Sequence, residues 1–387
     1  MKKAIAVAAA LACGISIFSF NGCSGGSAAS QQIKIGQLAA LSGSSAAWGT
    51  AEKNGAQMAV DEINKAGGVN GKTLKLITYD NKGTAPESIT SMKKLIDQDG
   101  VSAIVGGNIS DGLIACAPIY TQAKIPVIAT MPSNSLVTVD NNNKVRDYCF
   151  RLVCADKQQG TILAQYVYSK LGLKTTGILY EAGLDYSEGI SQTFTAEYEK
   201  LGGKIVASVA FQNGDVDFRS QLTKIKAANP EALLVPTRYK EAALAVQQAK
   251  QLGLSAALIG SDGWNSSVFL QMTGTSAEGA SVFAHASLDD PSLSSFCSNY
   301  KSTFKADPEV NAIYAYDSVK VFAKAMEAAK SNDPSAIRGQ LASVQYDGLT
   351  GHIQFSTTDH NVTGKQILII SPKSGKFVIK DKFTPTA

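Results

Sequence analysis

Residues 33–79 read IKIGQLAALSGSSAAWGTAEKNGAQMAVDEINKAGGVNGKTLKLITY. The stretch opens on a short β-rich run at 33–38. It continues into 47–65, where Ala56, Ala59, Val60 and Ile63 fall on one face at helical spacing. Gly67-Gly68 stops that helix, and 73–79 alternates apolar and polar residues as a strand does. Strand, helix and strand in under fifty residues make a βαβ unit, whose two strands lie parallel.

The rhythm continues outward. A helix is expected over 86–97, a buried strand over 102–105, a helix from Ser110 as N-cap to about 123, and a strand over 125–129. It then restarts, with helices over 156–171, 187–201, 217–228 and 239–252, and strands over 176–180, 204–209, 232–235 and 257–260. Two such runs predict an α/β chain of two Rossmann-like lobes with parallel central sheets. Each lobe would carry its ligand groups at the carboxyl ends of its strands. After Gly279 the pattern changes to a strand at 281–284, helices at 293–304 and 310–329, and strands at 352–355, 365–370 and 376–379. That is too long for an appendage, so the chain is expected to return to the first lobe and cross back, joining the lobes by several strands in a way suited to hinge closure.

Length and composition agree with this. The 387 residues suffice for two domains, and 44% hydrophobic with 18% charged residues reads as globular. Net charge is +4, with no basic block or stripe, which argues against nucleic acid as a partner. Lys2-Lys3 followed by an uncharged apolar run over 4–20 has the form of a secretory signal and is shorter than a membrane span. It ends in Phe20-Asn21-Gly22-Cys23, which resembles the lipobox of bacterial lipoproteins. Cys23 would then be the lipidated mature N-terminus, with 1–22 the signal peptide and 23–31 a flexible tether. Cleavage after Ser27-Ala28-Ala29 is the rival. Four cysteines remain in the body: Cys116, Cys149, Cys154 and Cys297. They show no C-x-x-C spacing, and the three histidines are scattered, so neither a metal site nor a cofactor is indicated. The cysteines read as small buried hydrophobes, with a single bridge left open.

Several fragments together resemble the opening and body of type I periplasmic binding proteins of the leucine/isoleucine/valine-binding class. These are Ile33-Lys34-Ile35-Gly36 to Ser42-Gly43, Trp48-Gly49, Asn54-Gly55-Ala56, the run 61–71, Tyr79-Asp80 with Pro86, Phe150-Arg151 with Asp156 and Gln159-Gly160, and Gln248-Ala249 with Leu252-Gly253. The resemblance covers nearly all of the mature chain. It implies a Venus-flytrap: lobe one over 32–152 plus 286–352, lobe two over 153–285 plus 353–387, with crossovers near Val153, His285 and His352. It implies a monomeric extracytoplasmic binder of an amino acid, branched-chain or similar, delivering it to an ABC permease. A ligand-sensing receptor not coupled to transport is the alternative. No G-x-S-x-G elbow, Walker loop or H-E-x-x-H motif is present, and an enzyme is not expected.

The same resemblance assigns the site. The loop Gly106-Gly107-Asn108-Ile109-Ser110 follows a strand and opens a helix, where backbone N–H groups favour an anion. Asn108 and Ser110 would hold the ligand carboxylate. In Thr130-Met131-Pro132-Ser133-Asn134, Ser133 would contact the ligand and Met131 would offer its carbonyl to the ammonium. Asp262 would pair that ammonium from lobe two. Tyr186 and Tyr239 would close over the ligand, with Trp48 at the cleft mouth. Arg238, beside Tyr239, is not assigned by the resemblance; if it faces the cleft it could meet a second acidic group.

Overall fold

The computed structural model describes residues 32–384. The leader, Cys23 and the tether lie outside the described residues. The first half alternates β1 (Ile33–Ala39), α1 (Ala46–Lys65), β2 (Leu74–Asp80), α2 (Ala85–Lys93), β3 (Ala103–Gly106), α3 (Ser110–Ala123), β4 (Val127–Ala129) and β5 (Cys149–Arg151). Its five strands form a wholly parallel sheet of order β2-β1-β3-β4-β5. The pattern repeats in α4 (Asp156–Gln165), β6 (Thr175–Glu181), α5 (Asp185–Lys200), β7 (Lys204–Phe211), α6 (Arg219–Ala227), β8 (Ala232–Val235), α7 (Tyr239–Gln251), β9 (Ala257–Gly260), α8 (Ser267–Thr273) and β10 (Ser281–Ala284). The remainder comprises α9 (Ser294–Phe304), α10 (Asn311–Ala329), α11 (Pro334–Leu341), the hairpin β11 (Gln345–Gly348) and β12 (Gly351–Gln354), and then β13 (Ile367–Lys373) and β14 (Lys376–Phe383). The second sheet has seven strands, β14-β13-β10-β9-β8-β6-β7. The five from β10 to β7 are parallel, while β13 and β14 extend the edge antiparallel.

The short central strands are apolar on both faces because helices cover both. On β8, Leu233 and Val235 face a core with Phe218 and Val246, while Ala232 and Leu234 face another with Leu163 and Phe194. The first sheet is sandwiched likewise: Ile35, Val105 and Phe150 meet Ile313 and Phe322 of α10, and Leu38, Ile104 and Val127 meet Leu113 and Tyr120 of α3. The return of α10 to the first lobe is therefore part of that lobe's core. A Cβ on Gly55 would stand 2.0 Å from the Ala312 carbonyl oxygen, so α1 and α10 approach to a distance only glycine permits.

One boundary differs from the sequence reading. The last crossing was expected near His352, but the chain stays with the first sheet for another ten residues. Arg151 N–H donates to His360 O at 3.0 Å, and Phe150 packs against Phe355 and stacks on His360. Val362 N–H donates back to Arg151 O at 3.0 Å, and only beyond it does the chain reach β13. The strand signal at 352–355 belongs to a two-stranded hairpin separate from both sheets.

The lobes are closed on each other. Glu309, from the loop before α10, places its carboxylate over the start of α8 in the second lobe. Ser267 N–H donates to both of its oxygens at 3.0 Å, and the Ser266 and Ser267 hydroxyls donate as well.

Candidate functional site

The parallel portions of the two sheets are wound identically: β2-β1-β3-β4-β5 and β7-β6-β8-β9-β10. In each, strand order reverses at one point, between β1 and β3 and between β6 and β8. Such switch points open a crevice at the carboxyl ends of the strands. Here the two crevices face each other. The loops after β1, β3 and β4 meet those after β6, β8 and β9 around a narrow cleft of about 30 Å³, lined by Trp48, Asn108, Ile109, Ser110, Met131, Pro132, Ser133, Tyr186, Arg238, Asp262 and Gly263.

The first wall is a donor surface. Gly106 and Gly107 adopt φ of +106° and +72°, and a Cβ on Gly106 would lie 2.3 Å from Leu38 O, so only glycine lets β3 turn this sharply into α3. Ser110 was expected to cap α3. It is instead the first helical residue, with Ile109 as N-cap and no side-chain cap. Its hydroxyl is thereby left at the cleft, accepting from Asn134 N–H at 3.3 Å. The Asn108 amide is buried, and neither its oxygen nor its nitrogen finds a partner among the described residues. Ser133 Oγ is buried beside Asp156 without a formed hydrogen bond.

Two buried ionisable groups hold the β4 loop. Glu52 of α1 accepts from Thr130 Oγ1 at 2.6 Å, and burial pushes its pKa up to about 8. Arg151, at the end of β5, donates to Ser133 O at 2.9 Å, to Asn134 O at 2.6 Å and to Asn361 Oδ1. The sequence reading quoted Arg151 only as a family fragment and gave it no role.

The second wall carries the acid. Asp262 follows β9 and is nearly inaccessible; its Oδ1 accepts from Tyr186 OH at 2.5 Å, and Oδ2 meets His285 Nε2 at 3.0 Å. Tyr186 OH also receives Gly263 N–H at 2.9 Å, and Gln159 Oε1 receives Asp262 N–H at 2.9 Å. Burial alone would neutralise Asp262, but the hydrogen bonds and charge of His285, with Tyr186 and Gln159, hold its pKa below the ordinary carboxylate value. Burial likewise disfavours an imidazolium, yet Asp262 and Cys154 outweigh it and lift His285 to about 9. Cys154 N–H approaches Nδ1 at 3.4 Å, too long a contact to hold the ring neutral against the carboxylate. No spacing signal in the sequence joins residues 262 and 285. Only the adjacency of β9 and β10 brings them together.

Seven of the eight expected positions (Trp48, Asn108, Ser110, Met131, Ser133, Tyr186 and Asp262) thus share one cleft. Tyr239 does not line it. Its ring meets Trp48 edge-on at 4.6 Å and its hydroxyl donates to Ser44 O at 2.6 Å, so it joins the lobes behind the site. The cleft position falls to its neighbour Arg238, because α7 begins between them and turns Tyr239 into the core. Ile109, Pro132 and Gly263 complete the lining from the same loops. Cys116, Cys149 and Cys154 are buried and Cys297 partly so, all as free thiols.

The Asp262–His285 pair fixes a pH dependence. His285 is raised, so its contribution to stability is fully present below about pH 6.5 and is lost as pH rises through about 9. Asp262 is lowered, so its contribution is present above about pH 3.8 and is lost below. The pair's own contribution to stability should therefore fall between pH 6.5 and 9, by an amount on the order of 3 kcal/mol. His285→Gln should remove the pair's share of the slope in denaturation curves recorded across the range, while the share of Glu52 and Asp156 below about pH 8 remains; an unchanged slope would contradict the pairing.

Known proteins share this arrangement. A protein-family model described as periplasmic binding protein matches residues 32–372. A leucine-, isoleucine-, valine-, threonine- and alanine-binding protein of Pseudomonas aeruginosa is 27% identical over 85% of this chain and 87% of its own length. Among solved structures, a leucine-binding protein, LivK, of Thermotoga maritima superposes with a TM-score of 0.83 at 27% identity, covering 91% of this chain and 99% of that one. The branched-chain amino acid transporter substrate-binding protein LivJ of Streptococcus pneumoniae, in complex with isoleucine, gives 0.82 at 34% identity, covering 91% and 99%. With its two lobes, their shared winding and a family match spanning nearly the whole described chain, this protein belongs to the periplasmic binding protein family.

Proposed function

We propose that the protein captures an α-amino acid between its lobes and delivers it to a membrane permease of an ABC importer. The observation that carries this reading is the opposed chemistry of the two walls. One presents donors to an anion: the N–H groups at the start of α3, which no side chain caps, the buried Asn108 amide and the Ser110 hydroxyl. The other presents an ionised carboxylate, Asp262, oriented by Tyr186 and His285. A zwitterion set across the cleft satisfies both, its carboxylate on the helix start and its ammonium on Asp262. The resemblance to proteins named for leucine, isoleucine and valine supports the same ligand class.

Closure follows from the contacts already made across the cleft. Trp48 Nε1 reaches Asn265 O at 3.4 Å, and Asn134 Nδ2 reaches Asp185 O at 3.2 Å. A ligand bridging both walls favours this closed pose. A few charge-assisted hydrogen bonds, at about 1.5–3 kcal/mol each, suffice to reverse an unfavourable open–closed balance. In this reading Cys23 carries a lipid that holds the tether at the membrane, beside the permease.

Thermal-shift screening of the lipid-free protein against the amino acids should find at least one that stabilises it, by about 2.7 kcal/mol at a hundred times its Kd. Asp262→Asn should remove that response. Stabilisation that survives the substitution would place the ammonium elsewhere. Cys23→Ala should move the full-length protein from the membrane fraction to the soluble fraction of the cell envelope, and retention in the membrane would rule out lipidation at Cys23.

A further inference from the structure

Arg238 lines the cleft but makes no hydrogen bond or ion pair with any described residue. It precedes α7 as its N-cap residue, so the helix start fixes its backbone. Two acids feel its charge, Asp111 and Glu241; burial raises the pKa of both, and Arg238 opposes that rise. Neither forms an ion pair with it. Asp262 is paired with His285, whereas Asp111 and Glu241 offset the Arg238 charge only through space, with Glu181 and Asp185 in the same field. The ammonium and α-carboxylate of an amino acid sum to zero. With Asn108 and Ser110 engaged by the α-carboxylate, the Arg238 guanidinium is the group on the wall whose donors have no direct acceptor among the described residues.

A branched aliphatic side chain fits this poorly. On closure it would press hydrocarbon against a guanidinium with nothing to replace the displaced water, a desolvation that is expensive when unpaired. A side chain ending in an oxygen acceptor removes the penalty; the fork of an arginine matches the two oxygens of a carboxylate, and a carboxamide oxygen accepts from it singly. We infer that the preferred ligand is an amino acid whose side chain ends in a carboxylate or carboxamide oxygen, read by Arg238. The inference rests on the amino-acid reading of the cleft and narrows it.

The test is isothermal titration of the lipid-free protein with glutamate, aspartate, glutamine, asparagine, leucine, isoleucine and valine, repeated on Arg238→Met, Arg238→Lys and Asp262→Asn. At least one acidic or amide amino acid should bind about tenfold or more tighter than leucine, since a site built to hydrogen-bond a polar group rejects analogues lacking it. Arg238→Met should collapse that ratio to about threefold or less, a change of at least tenfold in relative affinity if the initial ratio is about thirtyfold. Arg238→Lys should recover part of it for the carboxylates and less for the amides. A preference for leucine, isoleucine or valine in the parent overturns the inference, as does a polar preference that Arg238→Met leaves intact. In either case loss of binding in Asp262→Asn shows that the amino-acid reading survives. If no amino acid binds, while aromatic acids titrated as a control do, both readings fail together. Matching circular dichroism spectra and melting temperatures for parent and variants separate loss of recognition from loss of fold.

Discussion

Parallel strands force the geometry on which everything else depends. Each βα connection leaves a strand at its carboxyl end and enters the positive end of a helix, so one edge of a parallel sheet collects loops, free N–H groups and exposed side chains. Two sheets wound in the same order and hinged together bring two such edges face to face. The groups lining the cleft arise this way: Trp48 beyond β1, Asn108 and Ser110 beyond β3, Met131 and Ser133 beyond β4, Tyr186 beyond β6, Arg238 beyond β8 and Asp262 beyond β9. The cleft is shallow in sequence logic but demanding in support. Arg151 and Glu52 anchor the β4 loop from beneath, and His285 and Gln159 hold the Asp262 loop.

Closure draws on contacts that exist only when the lobes meet. The Trp48–Tyr239 ring pair, the Tyr239 bond to Ser44 and the Glu309 carboxylate over the start of α8 all cross between lobes. Apart from Trp48, which also lines the cleft, they sit behind and beside it and favour the closed pose without touching a ligand. A clasp of this kind lowers the differential binding that the ligand must supply, because part of the closed state's free energy is already in the protein.

The sequence carried much of this. Alternating strand and helix runs identified the two lobes, and the order of family-like fragments identified the loops that line the cleft. What it could not show were pairings between distant residues. Residues 262 and 285 share no motif, and their contact exists because β9 and β10 are neighbours. The choice between Arg238 and Tyr239 turned on where α7 starts, and a one-residue difference on a helix rotates a side chain from cleft to core. The Ser110 cap failed for a similar reason: the tight Gly106-Gly107 turn begins the helix a residue earlier and spends the hydroxyl elsewhere. The last crossing came late because residues 355–362 keep pairing with β5, a contact that no local propensity encodes.

The central claim is that the two walls read opposite ends of one amino acid. A crystal structure of the protein with a stabilising amino acid bound tests it most directly. The account predicts the ligand's α-carboxylate on the first turn of α3 beside Ser110 and Asn108, with its ammonium within hydrogen-bond distance of Asp262. An ammonium on the α3 side would contradict it. So would a ligand seated in the hinge-side cavity lined by Cys154, Thr161, Lys365 and Phe383 with the interlobe cleft unfilled.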